Sequence, residues 1–277
     1  MIIVNLDDAF EAYLKHWMQV NADRYGNNMD KMEEAVPDVY KEFLKTPLAS
    51  LNGQTPEAYF GAITDAGELV DMLRAYILGH TPVPDLLLER IVETGEDAVP
   101  LLLDLIRNPD EEEEIRMTAV SLMQEIGGSR PRDLYIDLIA PLEESSDLGD
   151  ICAESLCAMG REVVDPVLAR YEGAGKVAKD IFADVLCNFP GDDRIYAILE
   201  ERFRSQTDQR ALFASYLAKY GDERALPVLL EASRLQGLGY LDFVEIANAI
   251  EALGGERPAE REYAGDPFYE ALSHMGD

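Results

Sequence analysis

The residue types that could do chemistry in this chain are carboxylates, three cysteines and three histidines. Asp110, Glu111, Glu112, Glu113 and Glu114 form one acidic run, and Glu143, Glu144, Asp147, Asp150 and Glu154 form another. A calcium loop needs alternating oxygen ligands and a central glycine, and the first run has neither. It stands just before an apolar helical face beginning at Ile115, where negative charge suits a helix amino terminus, and the spacing predicts solvated capping. In the second run Asp147, Asp150 and Glu154 share a helical face, so a cation site or a carboxylate acid-base pair is conceivable. No histidine is near them in sequence.

Cys152, Cys157 and Cys187 form no CxxC or zinc-type series and read as small core residues. His16, His80 and His274 are scattered without metal-ligand spacing. No nucleophile elbow, Walker loop or dinucleotide fingerprint is present, so these patterns predict no catalytic, cofactor or metal residues.

The elements that carry these residues are organised by a repeat. Turns at Gly95, Gly127, Gly160, Pro190-Gly191, Gly221 and Gly254 return about every 31 residues. Four residues before each turn stand Ile91, Met123, Leu156, Leu186, Leu217 and Ile250, with Pro190 taking the glycine column in the fourth. Seven before stand Leu88, Val120, Ala153, Ala183, Ala214 and Ala247, on the same helical face. After each of the first five turns a second apolar run follows, so the unit is helix, tight turn, helix. Glycine past a helix end permits positive φ, and Asp222 is the clearest cap for a following helix. Pro100, Pro166 and Pro227 fall early in second helices and call for a distorted first turn.

The stretch Gly221-Asp222-Glu223-Arg224-Ala225-Leu226-Pro227-Val228-Leu229-Leu230 resembles the HEAT-like repeat of bacterial proteins and phycocyanobilin lyase subunits. Gly95-Glu96-Asp97-Ala98-Val99-Pro100-Leu101-Leu102 resembles it too. The resemblance covers roughly residues 85–256. It implies an all-α fold, a right-handed superhelical stack of about five to six helix pairs, an α-solenoid. These motifs build core and turns, so lyase activity does not follow from them.

Residues 1–84 read as a helical cap on the array, and 257–277 as a short helix and tail. Met1–Val4 reads as a short strand or ordered lead-in, with Asp7 or Asp8 capping a first helix faced by Phe10, Tyr13, Leu14 and Trp17. Tyr25 to Asn28 reads as a turn, and Pro37 interrupts the next helix. Thr55 and Pro56 open another, with Tyr59, Phe60 and Ile63 inward. The segment Leu51 to Glu57 is also similar to a pattern found ahead of helices in toxin-binding domains of some antitoxins. Leu69, Val70, Leu73 and Ile77 face one more helix, and Asp85 caps the first array helix. Near the end, Asp266 caps a helix whose Phe268 and Leu272 seal the last repeat or form a linear motif.

The formal net charge of -30 is spread along the whole chain, which disfavours phosphate backbones and anionic membranes as partners. A nucleic-acid glycosylase, known among HEAT-like proteins, conflicts with that charge. No apolar run reaches the length of a membrane span. With cysteines that read as core residues and no signal peptide, the expected location is the cytoplasm. On the resemblance, second helices line the concave side, exposing Asp104, Asp137, Asp165, Arg170, Glu200, Glu201, Glu231 and Arg234. The expected activity is a noncatalytic scaffold for a basic or amphipathic protein segment. The alternative is an enzyme or small-molecule binder with a pocket where the amino-terminal region meets the array, near Trp17, Tyr40 or Tyr59.

Overall fold

The computed structural model describes residues 1–25 and 28–274, with the side chains of 272–274 left aside. All regular structure among them is helical. The chain forms two compact units, the first ending at Pro131 and the second beginning at Arg132.

The first unit holds α1 (Leu6–Asn21), α2 (Met29–Glu33), α3 (Val36–Leu44), α4 (Pro56–Gly61), α5 (Ala66–Leu78), α6 (Asp85–Thr94), α7 (Val99–Arg107) and α8 (Glu113–Ile126). Residues 1–4 are a lead-in rather than a strand. The Tyr59 hydroxyl bonds both the N–H and the C=O of Ile2, and the Tyr76 hydroxyl does the same for Val4. Asn5, not Asp7 or Asp8, caps α1: its side chain accepts from both their N–H groups, which puts the two acids in the first turn. Pro37 divides the expected single helix into α2 and α3 and sits in the first turn of α3. Thr55 caps α4 as expected, and Phe60 and Ile63 are buried while Tyr59 is half-buried. The α5 face of Leu69, Val70, Leu73 and Ile77 is buried against α6, α7 and α8. Asp85 is the first residue of α6 and makes no capping bond, because Pro84 occupies the cap position.

The second unit holds α9 (Arg132–Ile139), α10 (Asp147–Met159), α11 (Val164–Tyr171), α12 (Lys176–Leu186), α13 (Asp193–Ser205), α14 (Arg210–Tyr220), α15 (Leu226–Ala232), α16 (Tyr240–Ala252) and α17 (Pro267–His274). Helix α10 packs on α9 and α12, α12 on α11 and α13, and α14 on α13 and α16.

In both units the repeat columns form the core. Ile91, Met123, Leu156, Leu186, Leu217 and Ile250 are all buried, and of the preceding column only Leu88 stays half-exposed. Each such large side chain contributes roughly 1.5–3 kcal/mol on burial. The alanines at 153, 183, 214 and 247 leave neighbouring helices room to close. The turn glycines take positive φ, and Gly127 (φ 84, ψ 179) and Gly160 (φ 83, ψ -163) occupy a region only glycine enters readily. In the fourth turn Gly191, at φ 92, rather than Pro190, provides the positive φ. The distortion ahead of Pro100, Pro166 and Pro227 is a single 3-10 turn, at Gly95–Asp97, Arg161–Val163 and Glu223–Ala225.

The carboxy-terminal segment packs on α16, but not through the side chains expected. Phe268 is 55% exposed. Tyr263 and Tyr269 instead contact Tyr240 edge-on, and Tyr263 is buried against Phe243. Asp266 caps α17 through the N–H groups of Phe268 and Tyr269 and also accepts from Tyr240 N–H, so one carboxylate serves two helix starts. Leu272 and His274 lie outside the described side chains.

Candidate protein-binding surface

The surface expected to meet a partner is built from second helices. In the second unit α9, α11, α13 and α15 bury their apolar stripes, among them Ile136, Val167, Leu199 and Leu229, and turn acidic residues outward. Asp137, Asp165, Arg170, Glu201, Glu231 and Arg234 are exposed, and Glu200 is half-exposed. Ion pairs join the helices side by side. Arg170 on α11 pairs with Asp137 on α9, Arg194 at the start of α13 reaches Asp165 on α11 at 2.7 Å, and Arg204 on α13 lies 3.9 Å from Glu231 on α15. Arg204 also bonds Glu200 at 2.8 Å. Asp104 belongs to the first unit, exposed on α7 and paired with Arg107. Most of the expected acids therefore already hold an arginine.

One of these arginines, Arg194, belongs to a pattern that the sequence reading missed. Three residues after Gly127, Gly191 and Gly221 stand Arg130, Arg194 and Arg224, and each reaches an acid of the preceding repeat: Glu96, Asp165 and Asp193. In the second unit Arg194 and Arg224 also grip the capping carboxylate two residues earlier, Asp192 and Asp222. Asp222 does cap the following turn, accepting from Arg224 N–H. The Arg194 guanidinium holds Asp192 at about 2, and Arg224 holds Asp222 below the usual carboxylate range. Arg224 lies over the Tyr196 ring, 4.4 Å from its centre. The signal was in the sequence, but putting Pro190 in the glycine column shifts Arg194 one place from Arg130 and Arg224, and only counting from Gly191 brings the three into one column. Gly254 has Arg257 in the same place, but this one pairs within its own repeat, with Glu251 and Asn248. Beneath these clips the buried Tyr220 hydroxyl bonds both the N–H and the C=O of Asp192 at 2.7 Å.

Between α11 and α13 the surface opens into a cleft of about 730 Å³. Leu168, Ala197 and Ile198 supply apolar wall, and Lys179, Arg194, Glu172 and Glu201 supply charge. Tyr171 and Arg202 complete the lining, and both are buried. Arg202 pairs with Asp180, which also accepts from Gln209, and its guanidinium stacks on Phe213. Yet the Arg202 Nε–H and the Tyr171 hydroxyl are buried without a hydrogen-bond partner. Such orphaned groups cost roughly 1–3 kcal/mol each. Burial pushes the Tyr171 phenol up to about 12, so it is neutral and able to donate.

The other candidates are occupied by packing. Cys152 and Cys187 are buried and Cys157 is half-buried. Burial pushes the Cys187 thiol up to about 12 and raises that of Cys157, so neither is a ready thiolate. Asn188 donates to Cys157 Sγ at 3.4 Å, and Lys219 pairs with Asp184 at 3.3 Å beside them. Glu111 departs from solvated capping: its side chain is largely covered and pairs with Arg74 at 3.0 Å. Glu143 accepts from the N–H of Lys176 at the start of α12, whereas Asp147, Asp150 and Glu154 stand exposed on α10. Among the described residues no group of His, Cys, Asp and Glu could hold a metal ion. Trp17 packs on Tyr25, Tyr40 stands edge-on to Phe10, and Tyr59 holds Ile2. A shallow apolar groove between α1 and α2 is lined by Leu14, Met18, Met29 and Met32 instead. No described helix is long and apolar enough to cross a membrane. Comparison with protein-family models, curated proteins and solved structures yields no match.

Proposed function

We propose that this chain is a noncatalytic scaffold of HEAT-like helix pairs whose second helices engage a basic or amphipathic protein segment. The observation that carries the reading is the row of adjacent second helices α9, α11, α13 and α15, each presenting exposed acids on a chain of net charge -30. Long-range attraction of that kind accelerates encounter with a cationic partner. The arginine clips refine the reading. A partner's lysines must compete with Arg170, Arg194 and Arg204 for their carboxylates, so each exchanged pair adds little affinity. Glu201, which has no clip, and Glu231, which Arg204 reaches only at 3.9 Å, carry the attraction, and apolar contacts supply the holding energy. Of the expected surface residues, Arg234 and Glu201 open onto clefts rather than joining the ladder of pairs.

The test is titration of a labelled basic amphipathic helical peptide, followed by fluorescence anisotropy at low and moderate salt. Affinity should fall with salt and fall further when Glu201 and Glu231 are both changed to lysine. The same two-charge reversal on α10, at Asp150 and Glu154, should weaken binding much less. Equal losses from both reversals would reduce the interaction to net charge alone and defeat the assignment of a surface.

A further inference from the structure

The α11–α13 cleft has properties that a protein-docking surface does not require. Two buried donors, Arg202 Nε–H and Tyr171 O–H, lack acceptors, and both residues line the same cleft. Arg202 is 7% exposed and Tyr171 5%. Native interiors rarely leave such groups unpaired, and a ligand's oxygen is one of the physical reasons they do. Lys179 adds a third donor, its ammonium 5.7 Å from the centre of the Tyr171 ring. Three donors on residues of one lining suit an acceptor-only group such as a carboxylate.

Charge decides the rest of the ligand. The Arg202 guanidinium is already balanced by Asp180 and Arg194 is held by Asp165 and Asp192, which leaves Lys179 against Glu172 and Glu201 on the lining. The lining therefore keeps a small acid excess within a chain of net charge -30, and both oppose a net anion such as phosphate. A ligand carrying its own cation escapes that penalty and gives Glu172 and Glu201 a partner. The Leu168, Ala197 and Ile198 wall takes a short apolar group, and about 730 Å³ suits a small molecule.

We propose that the α11–α13 cleft binds a small α-amino-acid zwitterion. Its carboxylate lies toward Arg202 Nε–H, Tyr171 O–H and Lys179, its ammonium toward Glu172 and Glu201, and its side chain toward the apolar wall. Both donors are sealed from solvent, so binding requires neighbouring side chains to move aside. This inference stands independently of the scaffold reading.

The experiment is calorimetric and thermal-shift titration of the full chain with the individual α-amino acids, alongside acetate, methylammonium and inorganic phosphate. At least one amino acid with an apolar side chain should bind with a Kd in the range of about 1 mM or tighter. The three fragment and anion controls should bind at least about tenfold more weakly. Lys179→Met and Glu201→Gln should each reduce amino-acid affinity about tenfold, the scale expected for a lost charge-assisted hydrogen bond. Tyr171→Phe separates binding from folding. It should leave the ligand-free protein as stable as the parent or more so, because it removes an unpaired hydroxyl, while weakening the amino acid. No amino-acid binding, binding unmoved by the three substitutions, or phosphate binding more tightly than any amino acid would each overturn the proposal.

Discussion

Helices α1 and α12 carry comparable apolar faces and meet different fates. In α1 only Leu6 is buried, and Phe10, Tyr13, Leu14 and Trp17 are half-exposed although their spacing is helical. In α12 Ala178, Phe182, Ala183, Val185 and Leu186 are all buried. The difference lies in the surrounding helices: α1 leans chiefly on α3, whereas α12 is flanked by α10, α11 and α13. Periodicity chooses the face a helix offers, and the helices packed around it decide how much of that face leaves water.

The largest test of this contrast is core truncation. Phe182→Ala should cost about 3–5 kcal/mol, because the ring is fully enclosed and its neighbours cannot collapse into the space. Trp17→Ala should cost less than half as much despite the larger side chain. Denaturant unfolding of both variants, with the transitions of the two units resolved separately, checks the pair, and equal losses would break the comparison.

A smaller effect is expected at Tyr220 and Tyr76, two of the three tyrosines that hold backbone by both its donor and its acceptor. Tyr220→Phe leaves the Asp192 N–H without its partner, while the C=O keeps the N–H groups of Ile195 and Tyr196, and should destabilise the second unit by about 1–3 kcal/mol. Tyr76→Phe should act mainly locally, since its bonds to Val4 are longer, at 3.2 and 3.1 Å, and the lead-in has little else to lose. Amide exchange should show faster exchange near Val4 in Tyr76→Phe and near Asp192 in Tyr220→Phe. Global loss from Tyr76→Phe would mean the lead-in supports more than itself.

The arginine clips come next. Arg194→Met and Arg224→Met should each lower stability only slightly, by an amount that shrinks as salt is added, because the guanidinium groups are exposed. The pH dependence follows from the depressed carboxylates. Unfolded aspartates titrate near ~3.9, while folded Asp192 titrates at about 2 and Asp222 is also lowered. A depressed folded pKa contributes stability that is complete above the unfolded value and lost as pH falls toward the folded one. The stability gap between the parent and the Arg194→Met, Arg224→Met double variant should therefore close between about pH 4 and pH 2. A gap that persisted at pH 2 would show that the arginines act by packing, as Arg224 over Tyr196 could.

The smallest effect belongs to Phe268. Replacing this exposed ring with serine should change stability by less than about 0.5 kcal/mol, whereas Tyr263→Ser should loosen the carboxy-terminal segment. Thermal unfolding of the two variants distinguishes them.

The turns and both core columns were legible in the sequence, because a positive-φ glycine and an apolar residue four positions before it are local requirements. The prolines were legible because a residue without an N–H settles in a first helical turn; a 3-10 turn directly precedes that helix at Pro100, Pro166 and Pro227 but not at Pro37 or Pro56. Capping was read well at Thr55 and Asp222 and misplaced at Asp7, Asp8 and Asp85. Choosing a cap among neighbouring polar residues turns on which one leaves the helical region first, a backbone outcome settled in part by distant contacts such as those holding Ile2 and Val4.

The candidate surface was legible as exposure and illegible as chemistry. Helical spacing correctly put Asp137, Asp165 and Glu231 outward, but whether an outward acid is bare or clipped depends on a side chain about thirty residues away. Likewise, nothing local marks Tyr171 or Arg202. Their periodicity assigns both to a helix, and only the packing of α11, α12 and α13 buries them with unpaired polar atoms beside one cleft. The sequence by itself determined helices, turns, core columns and an acidic character, since each follows from near neighbours or composition. Tertiary structure alone decided which aromatic faces are covered, which acids are neutralised and where a ligand could enter, because those depend on distances between residues far apart in the chain.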